Sequence, residues 1–487
     1  MSDKKHQNEQ SQTDVAASTE SGGVNRRRFV QGAAGLGLTA SAFGGMFSDY
    51  IGGISPALSA DFDPKKYAGT KINMLVVGSE NIDHAFRDQL PQLEEETGIS
   101  VEVTSPAIGP LIQKTVQLLQ SERSGFELVQ YLGFLAPQVV GSGGFTKLNA
   151  FLDDPGETAA DWDFGDFIQA AVNNVGIYDV EAGKRGQGSD VYAVPSGPGG
   201  SGIYFYRKDL FEDAGLQPAK TWEEFHEAAK ALTTDDVAGA SFIGANNFSL
   251  ALIDWYTRFI TSGGVLMSGH PADKNFMPQV DTPEGIHALQ LLIDLLPYAP
   301  KNVTQYGFAE NVDGFATGKI AQMIFWSTIA GPVFDPENSL VADVAATGPV
   351  PAAPGQTPRS VIGGWGIGIP QNADPDKKAA AWRVLTWLTS KRSEHHQVDK
   401  YQITVQRSST FENSDLLSKF PYLTDSREAI ATARTMPIAH VTEFLQLLDI
   451  MNVEFNAALV GTQDAPTATA KVQSGWEDIL RKAGHLA

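Results

Sequence analysis

The sequence predicts an α/β protein, and three of its features support that prediction. Short apolar runs alternate with segments of helical spacing between residues 71 and 131. Two glycine-rich segments, 195–202 and 348–358, interrupt the chain further on. Capped helix starts continue the alternation between and beyond these interruptions. Strands that alternate with helices are typical of a sheet with parallel strands covered by its helices.

The first part of the predicted fold contains three strands and two helices. Apolar runs and period-two alternation indicate the strands, and apolar residues at helical spacing indicate the helices. In chain order the predicted segments are strand 71–77, helix 84–97, strand 99–103, helix 111–120 and strand 126–131. Ligands of parallel sheets bind beyond the carboxyl ends of the strands. We therefore expect Gly78, Ser79, Glu80 and Tyr131 at the ligand edge of the sheet.

The glycine-rich segments separate the later elements. Strands are predicted at 191–194 and 203–206, on either side of the first segment. Both segments suit a chain that crosses between two lobes, and both equally suit surface loops, because glycine content does not distinguish the two. Helix starts are predicted at Thr221, which opens a capping box, and at Thr282 and Asp374, which each precede a proline. From about residue 420 the pattern is mainly helical.

The composition excludes several classes of function. With 487 residues the chain is too long for one ordinary domain. Its 57 Asp and Glu residues against 36 Lys and Arg residues give a formal net charge of −21, which argues against nonspecific binding of nucleic acid. Cysteine is absent, so disulfides, thiolate metal sites and cysteine nucleophiles are excluded.

The N-terminus predicts export from the cytoplasm. Residues 1–25 are polar, and we expect them to be disordered. The triplet 26–28 is Arg-Arg-Arg, and the uncharged run 29–48 that follows is rich in small residues, as in a twin-arginine signal. Small residues at 55–60 suit cleavage by signal peptidase, so the fold is expected to begin near Asp61 and the protein to be periplasmic or otherwise extracytoplasmic. An uncleaved membrane anchor is the alternative.

Motifs for catalysis and for cofactors are missing. The sequence has no His-Glu-x-x-His and no Gly-x-Ser-x-Gly, and the segment 314–319 is one residue short of a phosphate-binding loop. Gly364 opens a glycine-rich stretch that runs into Ile369-Pro370 instead of a helix, which argues against dinucleotide binding. We therefore expect no metal, no organic cofactor and no enzymatic activity. An exported glycan-cleaving enzyme stays open as an alternative, because two carboxylates distant in sequence can meet in space.

One segment carries a family resemblance. Residues 204–216, Pro218 and residues 220–225 (YFYRKDLFEDAGL, P and KTWEEF) strongly resemble extracellular solute-binding proteins of the maltose-binding type, the sugar receptors of ABC importers. Segments 93–101, 308–326 and 363–370 match the same pattern in the same order. The resemblance implies a two-lobed periplasmic-binding-protein fold, with hinge crossings and a ligand cleft between the lobes. It also implies a small-molecule ligand, docking onto ABC permease subunits in the membrane, and a monomer.

The resemblance also implies how the chain divides into lobes. After the N-terminal segment 1–60, the first lobe is expected to begin with residues 61–198, and residues 199–345 to form the second lobe. Residues 346–400 are expected to return to the first lobe. The helical segment 401–487 is expected to pack mainly on the second lobe.

The ligand-binding residues that the resemblance implies share a simple chemical logic. Aromatic faces pack against the apolar faces of a sugar, and charged or amide groups bind its hydroxyls. The predicted residues are Ser79, Glu80, Tyr131, Trp255, Trp326, Gly364 and Trp365. For each aromatic residue among them, core packing is the alternative. Phe134 stands where relatives often have an acidic residue, which argues against a maltodextrin-like ligand.

Other polar solutes stay open as ligands beside a sugar or oligosaccharide. A polyol is one alternative. A polyamine is another and needs several carboxylates in the cleft. A glycerophosphodiester needs an inward-pointing arginine, for which Arg359 and Arg407 are the candidates.

Overall fold

The computed structural model describes residues 62–487, apart from 79–80, 198, 247–249 and 404. The predicted export signal and its cleavage site lie outside these residues. Among the described residues, no helix combines the length and the apolar character that a bilayer crossing requires.

Twelve strands are formed by the described residues, and they belong to two main sheets and two small hairpins. Their bounds are β1 Lys71–Leu75, β2 Ser100–Thr104, β3 Leu128–Leu132, β4 Tyr178–Asp179, β5 Lys184–Arg185, β6 Val194–Pro195, β7 Gly202–Arg207, β8 Met267–Ser268, β9 Met277–Pro278, β10 Gln322–Trp326, β11 Ala345–Gly348 and β12 Trp365–Gly368. The first sheet has the order β2-β1-β3-β12-β6, and the second has the order β10-β7-β11.

Helices cover both sheets. The α-helices are α1 Ile82–Thr97, α2 Ile108–Gln120, α3 Ala136–Val139, α4 Asn149–Leu152, α5 Gln169–Val175, α6 Lys208–Asp213, α7 Trp222–Leu232, α8 Tyr256–Thr261, α9 Pro283–Leu295, α10 Phe308–Ala316, α11 Ala330–Phe334, α12 Lys378–Leu388, α13 Lys391–Tyr401, α14 Ser408–Phe411, α15 Ser414–Lys419, α16 Tyr422–Thr432, α17 Phe444–Val460 and α18 Ala465–Lys482. A π-helix, Leu250–Trp255, leads into α8, and short 3₁₀ turns include Gly133–Leu135 and Pro437–His440.

The first sheet is mixed: the three strands predicted between residues 71 and 131 are parallel, and the later strand β12 is antiparallel to its neighbours. Strand β1 pairs in parallel with β2 and with β3, as the alternation of strands and helices predicts. Strand β12 pairs antiparallel with both β3 and β6. The reason is topological, because β12 enters the sheet from the other half of the molecule and not through a right-handed helical crossover.

The second sheet is antiparallel, and the largest hydrophobic core surrounds it. Strand β7 lies between β10 and β11. The predicted capping box is present, because the Thr221 side chain accepts a hydrogen bond from Glu224 N and the Glu224 carboxylate accepts one from Thr221 N. Thr282 caps the next long helix by accepting from Gly285 N. These caps fix the helices that cover the sheet.

Three chain segments run between the two sheets, and they are bonded to one another. Gly363 N donates to Gly200 O at 2.7 Å, which joins the segment before β7 to the segment before β12. Ile362 N donates to Arg434 O at 2.9 Å, which adds a third segment from the C-terminal part. The first predicted glycine-rich segment, 195–202, is therefore one of the crossings.

The second glycine-rich segment lies elsewhere. Residues 348–358 stay beside the second sheet, because Ala352 N donates to Lys220 O and Ala353 N donates to Thr261 O. The chain crosses a few residues later, between Ser360 and Gly364. Proline and glycine indicate that this stretch has irregular structure, but they do not indicate which residues pass from the second sheet to the first.

The C-terminal helices pack in two places. Residues of α17 and α18 belong to the core around the second sheet. Val398, Phe411 and Leu423 instead form a smaller core with Ala330 and Ile362, beside the crossings.

Candidate functional site

A cavity of about 700 Å³, open to solvent, lies where the three crossings meet the two cores. Its wall is mostly apolar, and both halves of the molecule contribute to it. The lining residues are Ile108, Leu132, Phe134, Asn174, Arg185, Gly200, Leu252, Phe308, Trp326, Thr328, Val361, Ile362, Gly363, Gly364, Trp365, Thr435, Met436, Ala439 and Phe444. A concave, mostly apolar wall with a few polar groups is typical of small-molecule sites.

Trp326 forms one wall, and the glycines of two crossings hold its ring. It is the last residue of β10 and is half-buried. A Cβ atom added at Gly363 would lie 2.8 Å from its Cζ3 atom, and one added at Gly200 would lie 3.6 Å from its Cε3 atom. At position 363 only glycine lets the backbone approach the indole so closely, whereas a Cβ atom at position 200 would make an ordinary contact with the ring.

Trp365 and Gly364 also line the cavity. Trp365 begins β12, is 3% exposed and belongs to the hydrophobic core around the first sheet, called the first core below, so it serves packing and the cavity wall together. The core around the second sheet is called the second core. Its carbonyl oxygen accepts from Ser196 N at 2.9 Å. Gly364 has φ +125°, a region that favours glycine. The structure thus brings Trp326, Gly364 and Trp365 together on one cavity; their contact with a ligand stays a prediction.

Tyr131 does not line this cavity. It is 1% exposed, packs on Phe145 with ring centroids 5.0 Å apart, and donates its hydroxyl to Val175 O. Side chains alternate across a strand, so the neighbouring Leu132 faces the cavity and Tyr131 faces away from it. The predicted strand end therefore lies at the cavity, but the side chain of Tyr131 is on the other face of the sheet, and its contact with a ligand stays a prediction.

Trp255 is also a packing residue in this structure. It is fully buried, donates Nε1–H to Gly285 O at 3.1 Å and stacks on Phe259 at 4.7 Å between ring centroids. Leu252 is the residue of the same helical segment that lines the cavity. The predicted residues Ser79 and Glu80 lie outside the described residues.

Two aromatic residues that the sequence did not single out as binding residues meet across the cavity mouth. Phe134 stacks on Phe444 with ring centroids 4.7 Å apart. Phe134 packs against both cores, and Phe444 belongs to the second. A possible signal for Phe134 was its place just after the end of β3; Phe444 stands in an ordinary apolar helical pattern and gave none.

Arg185 is the charged residue of the cavity wall. It is 5% exposed and donates Nη1–H to Gly133 O at 2.7 Å. Burial lowers the pKa of its guanidinium to about 10, so it is a cation at neutral pH. In the sequence it ends a Gly-Lys-Arg turn, a pattern typical of solvated loops, and therefore it was not predicted.

The arginines proposed from the sequence for a phosphate ester do not line the cavity. Arg407 is buried, donates to Thr389 O and lies 3.2 Å from the Asp166 carboxylate. Arg359 is likewise not one of the lining residues. Within the described ranges, no cluster of three or more His, Asp or Glu side chains could hold a metal ion.

The sequence matches a known family and several named proteins. The profile of bacterial extracellular solute-binding proteins matches residues 78–394. A mannitol-binding protein of Pseudomonas aeruginosa is 26% identical over 324 residues, which cover 61% of this chain and 70% of that protein. The sn-glycerol-3-phosphate-binding periplasmic protein UgpB of Agrobacterium fabrum is 26% identical over 309 residues, covering 58% and 66%. A probable ABC transporter-binding protein of Deinococcus radiodurans is 25% identical, and the match spans just over half of that protein, 56%.

Solved structures share the fold. A solute-binding protein of Agrobacterium radiobacter K84 in complex with ribitol has a TM-score of 0.74 and 24% identity, and the match covers 85% of this chain and 99% of that one. Maltose-bound MalE3 of T. maritima has a TM-score of 0.73 and 22% identity, and the match covers 85% of this chain and 100% of that one. At these identities the likeness concerns the fold, and it confirms the predicted two-lobed α/β architecture.

Proposed function

The chain belongs to the bacterial extracellular solute-binding protein family, and on that premise we propose that it is the receptor of an ABC importer. In this proposal it binds a sugar, polyol or similar polar solute in the cavity between its lobes and delivers it to membrane permease subunits. The observation that carries the proposal is the cavity to which both halves of the molecule contribute, with Trp326 and Trp365 among its lining residues. Relatives whose names specify mannitol or glycerol 3-phosphate as ligand support a solute of that size.

The aromatic wall suits a solute with apolar C–H faces. Trp326, Trp365, Phe134 and Phe444 supply flat surfaces with few rotatable bonds, so ordering them costs little entropy. Asn174 lies on the same wall and already donates to Gly363 O at 3.2 Å, which leaves its side-chain oxygen for a ligand hydroxyl. Such a surface selects by shape and by a few polar contacts.

A thermal-shift screen of the purified chain against sugars, polyols, polyamines and their acidic derivatives tests the proposal. We expect one class to raise the melting temperature, and isothermal titration then to give one site per chain. A single high-affinity site that Trp326→Ala weakens by tenfold or more supports the cavity. Binding that is unchanged in this variant would place the ligand elsewhere.

Four narrower proposals accompany this one. The lobes divide near residue 198 and, later than the sequence suggested, between residues 360 and 364. The chain is exported by the twin-arginine route, the receptor is a monomer, and it has no catalytic activity. Changing Arg26, Arg27 and Arg28 to lysine should leave the precursor in the cytoplasm. Sedimentation should give the mass of one chain, and incubation with oligosaccharides should release no new reducing ends.

A further inference from the structure

Arg185 differs from the other buried arginines of the described chain. Arg258 has Asp254 at 3.2 Å, Arg407 has Asp166 at 3.2 Å and Arg383 has Glu157 at 3.9 Å. Among the described residues, no carboxylate lies within 4.0 Å of Arg185. A buried guanidinium without a counter-charge is strongly unfavourable, because desolvation is not offset by an attractive partner.

The guanidinium of Arg185 is also incompletely hydrogen-bonded. Its Nη1 donates to Gly133 O at 2.7 Å, while Nη2 is buried and has no partner. An arginine presents its donors as a planar fork that matches the two oxygens of a carboxylate or phosphate. The unused half of this fork belongs to a residue of the cavity wall.

The neighbouring titratable groups supply no negative charge. Burial raises the pKa of the hydroxyls of Tyr131 and Tyr178, so both are neutral. Burial and the positive charge of Arg185 lower the pKa of His440 to about 3, so this imidazole is neutral as well, and its Nδ1 has no hydrogen-bond partner. The positive charge of Arg185 is therefore unopposed from each of these sides.

We propose that Arg185 is an anion-recognition residue of the cavity, and that the solute bound there carries a carboxylate or phosphate group on a body with apolar faces. This inference rests on the proposed receptor function and names the class of its ligand. The oxyanion accepts from the Arg185 fork, and the body of the solute packs between Trp326 and Trp365. A polyamine is disfavoured in the same site, because its ammonium groups repel the guanidinium.

The test uses matched solutes that differ only in charge. The full chain is titrated with glycerol, glycerate and glycerol 3-phosphate, and with glucose, glucuronate and glucose 6-phosphate, at fixed ionic strength. We expect an acidic member to bind at least tenfold more tightly than its neutral parent. The carboxylate and phosphate members of each series distinguish the two sources of the oxyanion.

Variants of Arg185 separate charge from packing. Arg185→Met keeps the side-chain length, and we expect it to reduce binding of the acidic solute at least tenfold while the affinity for the neutral parent changes less than twofold. Arg185→Lys keeps the charge without the fork, and an intermediate affinity is expected. Arg427→Met, an exposed residue of α16, is the control and should change neither affinity.

A measurement on the unaltered protein guards against variants that fail to fold. Inorganic phosphate in the millimolar range should compete with the acidic solute, and chloride at equal ionic strength should not. Neutral parents that bind as tightly as the acids, with Arg185→Met unchanged, would overturn this inference and leave the receptor function intact. An absence of binding by every solute of both series would count against the receptor function as well.

Discussion

Gly363→Ala is the substitution for which the structure makes the sharpest prediction. The new Cβ atom would lie 2.8 Å from Cζ3 and 3.3 Å from Cη2 of Trp326, and 3.4 Å from Gly200 O. A Cβ atom essentially never lies within 3.0 Å of a non-bonded heavy atom, so the indole has to move. Gly363 does not have a positive φ, so alanine fits its backbone and the effect is purely steric.

The size of the effect follows from where the ring can go. Overpacking of this kind costs about 1–3 kcal/mol when the neighbours cannot yield. Trp326 is half-buried and lines the cavity, so its ring can shift into the space that the ligand needs. The cost then falls mainly on binding, and 1–3 kcal/mol corresponds to a loss of affinity of about 5- to 150-fold.

Calorimetric titration with the solute found by the screen measures this loss, and tryptophan emission reports the movement of the ring. Gly348→Ala is the matched control, because its Cβ would meet nothing closer than Tyr204 Cδ1 at 3.9 Å. Trp326→Phe removes the Cζ3 and Cη2 atoms, so adding Gly363→Ala to it should cost little further affinity. If Gly363→Ala keeps full affinity and unchanged tryptophan emission, the close contact between the crossing segment at Gly363 and the Trp326 ring does not control ligand binding, and the reasoning is refuted.

Three further predictions concern packing, pH and helix capping. Trp365→Ala should lose about 3–5 kcal/mol of stability, because the residue is in the first core, whereas Trp326→Ala should mainly lose affinity; urea unfolding and titration of both variants separate these losses. Burial and the charges of Arg185 and His270 lower the pKa of His440 from 6.5 to about 3, so its stabilising contribution is complete above pH 6.5 and falls as the pH drops. Between pH 7.5 and pH 5 the free energy of unfolding should fall by about 2 kcal/mol through this residue. The free energy of unfolding of His440→Gln should depend on pH by that much less. Thr221→Ala removes the capping box and should destabilise the chain by about 1 kcal/mol in the same unfolding assay, while Thr424→Ala, an exposed change elsewhere, should have little effect.

Local patterns predicted the elements of the first lobe because each pattern reports a local preference. The strand predicted at 99–103 is found at Ser100–Thr104, and the helix predicted at 111–120 is found at Ile108–Gln120. Capping at Thr221 was predicted from four adjacent residues, and all of its hydrogen bonds are made among residues 220–224. The antiparallel entry of β12 was not predicted, since it depends on contacts between residues more than 200 positions apart.

The candidate site was less predictable than the fold, because lining a cavity depends on direction as well as position. Tyr131 and Leu132 are neighbours, yet only Leu132 lines the cavity. Trp326 and Trp365 were expected from family-like segments, and Gly363 explains why the backbone leaves room for the Trp326 ring. Arg185 carries no local signal, since only the folded hairpin reveals that its side chain points inward and lacks a counter-charge.

The geometry of the crossings links ligand binding to the relation between the lobes. A micromolar dissociation constant corresponds to about 8 kcal/mol, and one aromatic anchor supplies about 2 kcal/mol, so a solute needs contacts from both halves of the molecule at once. Trp365 belongs to the first core, whereas Trp326 packs against the second. Gly363 N donates to Gly200 O, and both glycines lie beside the Trp326 ring. A rotation of one lobe about the crossings therefore also shifts the cavity wall that Trp326 forms. A solute that fits between the two indoles therefore favours the arrangement of lobes that brings them together, and it shifts the population toward that arrangement by its difference in affinity for the two states.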